Sequence, residues 1–214
     1  NTAVGIEAMV SNTTGYDNST LGQNSLNNNT SGIRNVAIGK QSLRYNTTAS
    51  NNTAVGNSAL QYNTTGNHNV GVGVNALRLN TTGSQNVAVG TSAGAAITTG
   101  GYNSLIGAYA GDAITTGQYN TALGREALSS VTTADSNTGI GRNAGGAVTT
   151  GLQNTFVGGL AGDATDDGAY NVAVGYASLS ANCGNANTAV GMGALTAGTG
   201  LSNTAVGYYA MGGA

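Results

Sequence analysis

The phrase Asn-Thr-Ala-Val-Gly opens the chain at Asn1 and returns at Asn52, Asn187 and Asn203. Looser copies begin at Asn18, Asn35, Asn69, Asn86, Asn103, Asn120, Asn137, Asn154 and Asn171. The first eleven starts are 17 residues apart, the last two intervals are 16, and the thirteenth copy is truncated. A short fixed period of this kind rules out a single central core, because each copy stacks on its neighbours and the fold becomes one-dimensional. Residues 1–214 are therefore expected to form one solenoid of thirteen repeats, and a chain that opens and stops in mid-pattern is expected to be a piece of a longer one.

The copies act as an internal alignment. Position 1 is Asn and position 5 is Gly in all thirteen. Position 4 is always Val, Ile or Leu, and position 8 is always Ala or Ser. Positions 2 to 4 read as a short strand of β-branched and small residues. The aliphatic residue at position 4 is expected to point inward. Gly at position 5 suits a turn that needs φ > 0 or close backbone approach, and small residues at position 8 mark a crowded spot. Where position 9 is Leu or Met, position 12 is usually Asn, as in Met9 with Asn12 and Leu60 with Asn63, with Leu128 and Val131 as an exception. Gly at position 9 accompanies an apolar residue at 12 in three copies, as in Gly94 with Ile97, though not in Gly162 with Thr165, so the two positions are expected to share one space.

Seventeen residues are too few for a paired-helix repeat. One unit is best read as one coil of an all-β parallel solenoid, which at about 4.8 Å per coil gives a rod on the order of 60 Å long. The Asn residues at position 1 are expected to form a ladder of stacked amides, inside or at a turn. Position 3, mostly Ala with Leu105 and Phe156, lies on the other face of the strand. If it is buried too, a partner chain is expected to cover it, and a three-fold bundle of parallel rods would do so.

Only 7% of the residues are charged and the net charge is −2, which gives no basic stripe for nucleic acid. No apolar run is long enough to insert in a membrane. A single Cys183 and a single His68 can build neither a zinc site nor a His-based triad, and no cofactor motif is present. Glu7 and Glu126 are isolated, and Asp112 and Asp163 lie three coils apart, roughly 14 Å, too far for paired-carboxylate hydrolysis. The chain reads as a non-enzyme.

The unit N-T-A-V-G-x-x-A-L resembles the N-S-V-A-I-G-x-x-[AS]-x-A head repeats of YadA-like trimeric autotransporter adhesins. It is more similar still to the N-T-A-[VL]-G-x-x-A-L repeats of phage tail-fibre proteins. The resemblance covers the whole chain. It implies a left-handed β-roll, a homotrimer, an extracellular place on a virion fibre or cell surface, and attachment to a host-cell surface glycan or protein. The coil here is longer than the adhesin coil and carries an added Thr-Thr-Gly turn. The family supplies no catalytic residue.

Several surface features invite a binding reading. Thr pairs at positions 13 and 14 suggest a monomeric solenoid that binds ice or polysaccharide, although the plainer expectation is hydroxyls capping backbone groups. Asn12, Asn46, Asn63 and Asn80 each open an Asn-Thr-Thr sequon and are expected to be exposed beside a filled position 9. Asp163, Asp166 and Asp167 share one coil and offer oxygen ligands to Ca²⁺, against the plainer expectation of a solvated turn. Tyr102, Tyr119 and Tyr170 fall at position 17, where aromatic rings in line would pack against sugar rings.

Overall fold

The computed structural model describes residues 1–197 and 200–212. Each repeat contributes one three-residue strand, from β1 (Thr2–Val4) to β13 (Thr204–Val206). The strands join in chain order into one parallel sheet. Equivalent residues face each other without a slip: Val36 pairs with Thr53, and Val172 pairs with Thr188 across the shorter interval. Stacking continues beyond the strands. In the fourth coil the Leu60, Tyr62 and Thr64 amides donate to the Ala76, Arg78 and Thr81 carbonyls at 2.9, 3.0 and 2.9 Å. Every coil thus rests on the next along most of its backbone, which satisfies the polar groups that a lone coil would leave open.

The bends are stored in the backbone. Thirty-three non-glycine residues among those described have φ between 48° and 62°, nearly all at positions 7, 9 and 17. A few per cent is ordinary, and each costs about 1–2 kcal/mol, so the stacking and not local preference holds the coil shape. Gly at position 5 is required twice over. Gly124 has φ of +141°, and a Cβ there would sit 2.4 Å from the Gly141 carbonyl oxygen of the next coil.

The interior corrects the expectation for position 4. Val4, Leu21, Ile106 and Leu123 are exposed, and the inward residue is position 3: Ala37, Ala54, Ala88, Leu105 and Phe156 are fully buried. The coil is too narrow for a large aliphatic residue from the strand in every turn, because Leu at position 9 already fills it from the opposite wall. Leu26, Leu43, Leu60 and Leu77 are fully buried in this way. A Cβ added at Gly71 would come within 3.4 Å of the Leu60 side chain and 3.3 Å of the Ala76 carbonyl. Position 3 is therefore covered by the chain's own coils, and its burial needs no partner.

The shared space of positions 9 and 12 has a third tenant. A Cβ at Gly94 would lie 2.8 Å from Leu105, 3.0 Å from Leu77 and 3.1 Å from Ile97. A Cβ at Gly162 would lie 2.3 Å from the Phe156 ring, and one at Gly145 would lie 2.7 Å from it. A large residue at position 3 is thus flanked by glycine at position 9 in its own coil and in the one before.

Candidate binding faces

The position 1 asparagines form one internal ladder. Asn103 shows the pattern: its Nδ2 donates to Asn86 Oδ1 at 3.0 Å and to the Gly117 carbonyl at 2.9 Å. Its Oδ1 accepts from the Asn120 backbone N–H at 3.0 Å and from Asn120 Nδ2 at 3.1 Å. From Asn18 to Asn187 these side chains are buried, so the ladder holds coil to coil and meets no ligand.

A second ladder runs through the sequon asparagines. Asn29, Asn46, Asn63 and Asn80 each donate to the Oδ1 of the preceding member at 2.7 to 3.0 Å. All four are fully buried, which for Asn46, Asn63 and Asn80 corrects the expectation of exposure and closes their amides to modification in the folded chain, whereas Asn12 in the first coil is half-buried. Position 12 lies at the inner side of a bend, so an amide there is sheltered and must find a partner within the protein.

The Thr pair divides its roles. Thr64 and Thr81 Oγ1 donate to the Thr81 and Thr98 carbonyls at 2.9 and 3.0 Å, which is the backbone-capping role. Position 14, from Thr14 to Thr150, is exposed with Ser31 in the row.

Tyr102 and Tyr119 stack with centroids 5.0 Å apart and an interplanar angle of 16°; Tyr170 is exposed in a later coil. A second pair is missing from the sequence reading. Tyr45 and Tyr62, at position 11, stack at 5.1 Å and 13°. The Arg44 guanidinium lies 5.1 Å from the Tyr45 ring and that of Arg78 5.8 Å from the Tyr62 ring. The available signal was two tyrosines 17 residues apart, beside arginines at position 10 of alternate coils.

The acidic coil gathers no metal site: no group of three or more His, Cys, Asp or Glu side chains among the described residues is placed to hold an ion. Asp166 instead accepts from the Thr149 hydroxyl at 2.5 Å. Partial burial raises the pKa of Asp163 against the opposing pull of its backbone hydrogen bond and Arg142. Burial also raises that of Asp112, with a further push from Glu126, and lifts the Cys183 thiol. No cavity opens among the described residues, so the candidate sites are faces and not clefts.

The outward side of the sheet is a further face, which runs through all thirteen strands. Position 4 carries an aliphatic residue and position 2 a Thr, Val or Ser in every strand, with no charge in either row. Comparison with family models, with curated proteins and with solved structures finds no match.

Proposed function

We propose that this chain is a structural, surface-binding β-solenoid of the extracellular space, a rod that meets polysaccharide or ice along one regular face and acts by contact, not catalysis. The outward sheet face carries the reading. An apolar strip as long as the molecule marks an interaction surface. Strict register repeats its aliphatic groups about every 4.8 Å, and a backbone already fixed by stacking loses little freedom on binding. The exposed Thr row at position 14 adds a second regular line of hydroxyls.

A second reading follows from the same strip. Thirteen aliphatic residues in line also suit coverage by further copies of the chain, as in a homotrimeric tail fibre or adhesin attached to a cell surface. The resemblance of the repeat supports that reading, and the complete single-chain core supports the first.

Solution mass by light scattering, with retention on insoluble polysaccharide and thermal hysteresis, separates the two. A one-chain mass with binding lost in Val89→Lys/Ile106→Lys or in Thr65→Lys/Thr82→Lys supports the binding solenoid. A three-chain mass that falls to one chain in Val89→Lys/Ile106→Lys replaces it with the fibre. A one-chain mass without binding overturns both.

A further inference from the structure

We infer that coils 3 to 5 carry a separate site for an acidic polysaccharide, held by Arg44 and Arg78 on either side of the stacked Tyr45–Tyr62 pair. Residues 18–111 contain four cations, Arg34, Lys40, Arg44 and Arg78, and no Asp or Glu. Residues 112–214 contain six acids and two arginines. A chain with a net charge of only −2 is thus divided into a cationic and an anionic stretch along one axis. The ion pairs among the described residues are Arg34 with Asp17 and Arg125 with Glu126, which leave Arg44 and Arg78 without a carboxylate. The next acid at position 10 is Asp112, two coils beyond Arg78, or about 10 Å, a Debye length at 0.1 M salt.

Both guanidinium groups lie against an aromatic ring in place of a carboxylate. The Tyr45 and Tyr62 rings hold them by cation–π contact, the usual way to fix a guanidinium that has no counter-ion. Arg44 Nε is buried and has no hydrogen-bond acceptor. Gln61 sits between the two arginines at position 10 and is itself fixed, donating to Gln41 Oε1 at 3.1 Å. The result is two fork-shaped donors two coils apart, with phenol and amide groups between them. A guanidinium fork matches a carboxylate or sulfate in bidentate fashion. Two anionic groups about 10 Å apart along a polymer would meet both forks, and the intervening sugar hydroxyls would meet the tyrosines. A neutral glycan satisfies neither arginine, and an isolated anion reaches only one.

Calorimetric titration of the whole chain with polygalacturonate and with a heparin oligosaccharide tests this, with dextran as the neutral control. The carboxylate and sulfate arms identify which acid the forks prefer. Binding of at least one acidic glycan, absent for dextran and weakened by salt, is expected. Arg44→Gln/Arg78→Gln should lower the affinity at least tenfold. Arg125→Gln/Arg142→Gln, with the same change in net charge, should change it less than twofold. Arg44→Lys/Arg78→Lys keeps the charge but loses the forks and should fall between them, which covers the case in which the glutamine variant misfolds. The sheet-face variant Val89→Lys/Ile106→Lys should bind acidic glycan as the parent does, so this site stands or falls apart from the sheet face. No binding to either acidic glycan, equal losses in the Gln double variants, or equal affinity for duplex DNA overturns the proposal.

Discussion

Replacing Phe156 by Ala and Gly162 by Leu, singly and together, tests whether positions 3 and 9 fill one volume. Phe156 is fully buried, and its ring lies 2.3 Å from where a Cβ of residue 162 would stand. Ordinary carbon contact needs about 3.5 Å, so ring and backbone would have to part by roughly 1.2 Å in a coil clamped on both sides. Gly162→Leu alone is therefore expected to cost at least the 1–3 kcal/mol of an overpacked core. Phe156→Ala alone empties an aromatic site and should cost about 3–5 kcal/mol. The double variant restores the arrangement of Ala37 with Leu43 or Ala54 with Leu60, where both side chains are fully buried. Leucine is tolerated at this backbone position, since Leu60 has φ of 50° against 63° at Gly162.

If the two residues compete for one space, the double variant should lose clearly less than the sum of the two single losses, with a coupling of about 2–3 kcal/mol. Equilibrium urea unfolding reads this, provided two probes give coincident transitions, because a repeat array can melt in parts. Additive losses, with the double variant the least stable of the three, would refute the shared volume.

Two further predictions come from the buried polar groups. Asn103→Ala removes the partner of the Asn120 amide and of the Gly117 carbonyl, both inside the rod. At about 1–3 kcal/mol for each buried group left unpaired, the loss should be roughly 2–5 kcal/mol by thermal melting, whereas the exposed Thr99→Ala should be near neutral. Asp112→Asn addresses pH. Its folded carboxyl is held above the ordinary 3.8 by partial burial and then by Glu126, so the stability it contributes is present below that value and lost as pH rises through the folded pKa. The Asn variant, a residue that coil 2 already carries there as Asn27, should melt higher than the parent at pH 7 and lose that advantage near pH 3.5. An advantage that grows on acidification would sink the assignment.

The period, the strand and the glycine turn were legible because they repeat. Thirteen aligned copies expose a constraint such as Gly at position 5 without any structure, and both of its expected causes operate. The side of the strand that faces inward was not legible. Alternation gives two phases, and the larger side chain is normally the buried one. That rule fails because the width of the coil is set by its other wall, where Leu at position 9 and the amide at position 12 already stand. The same geometry hid the burial of Asn46, Asn63 and Asn80. Polarity alone reads as exposure, and only the inner side of a bend turns it into a hydrogen-bonded ladder. The Tyr45–Tyr62 and Arg44–Arg78 cluster was visible as spacing, but nothing in a single coil marks positions 10 and 11 as one surface.

The backbone treats coils 1 to 5 and coils 6 to 10 alike, yet their side chains differ in two independent ways. Asparagine fills position 12 up to Asn80 and is replaced from Ile97 onward. The internal ladder therefore stops, and Asn80 Oδ1 is left buried with no donor. An orphan of that kind costs about 1–3 kcal/mol, and a uniform rod would avoid it by carrying the ladder on or never starting it. The sign of the surface charge changes over the same stretch, from Arg78 to Asp112. The interior change can be ascribed to packing, since Gly94 at position 9 makes room for Ile97. The charge change cannot, because Arg78 and Asp112 occupy equivalent places at position 10 and neither fills the core. The coil accepts either sign at that place, so the division is a property of the field along the rod, and it is the feature on which the proposed acidic-polysaccharide site at Arg44 and Arg78 rests.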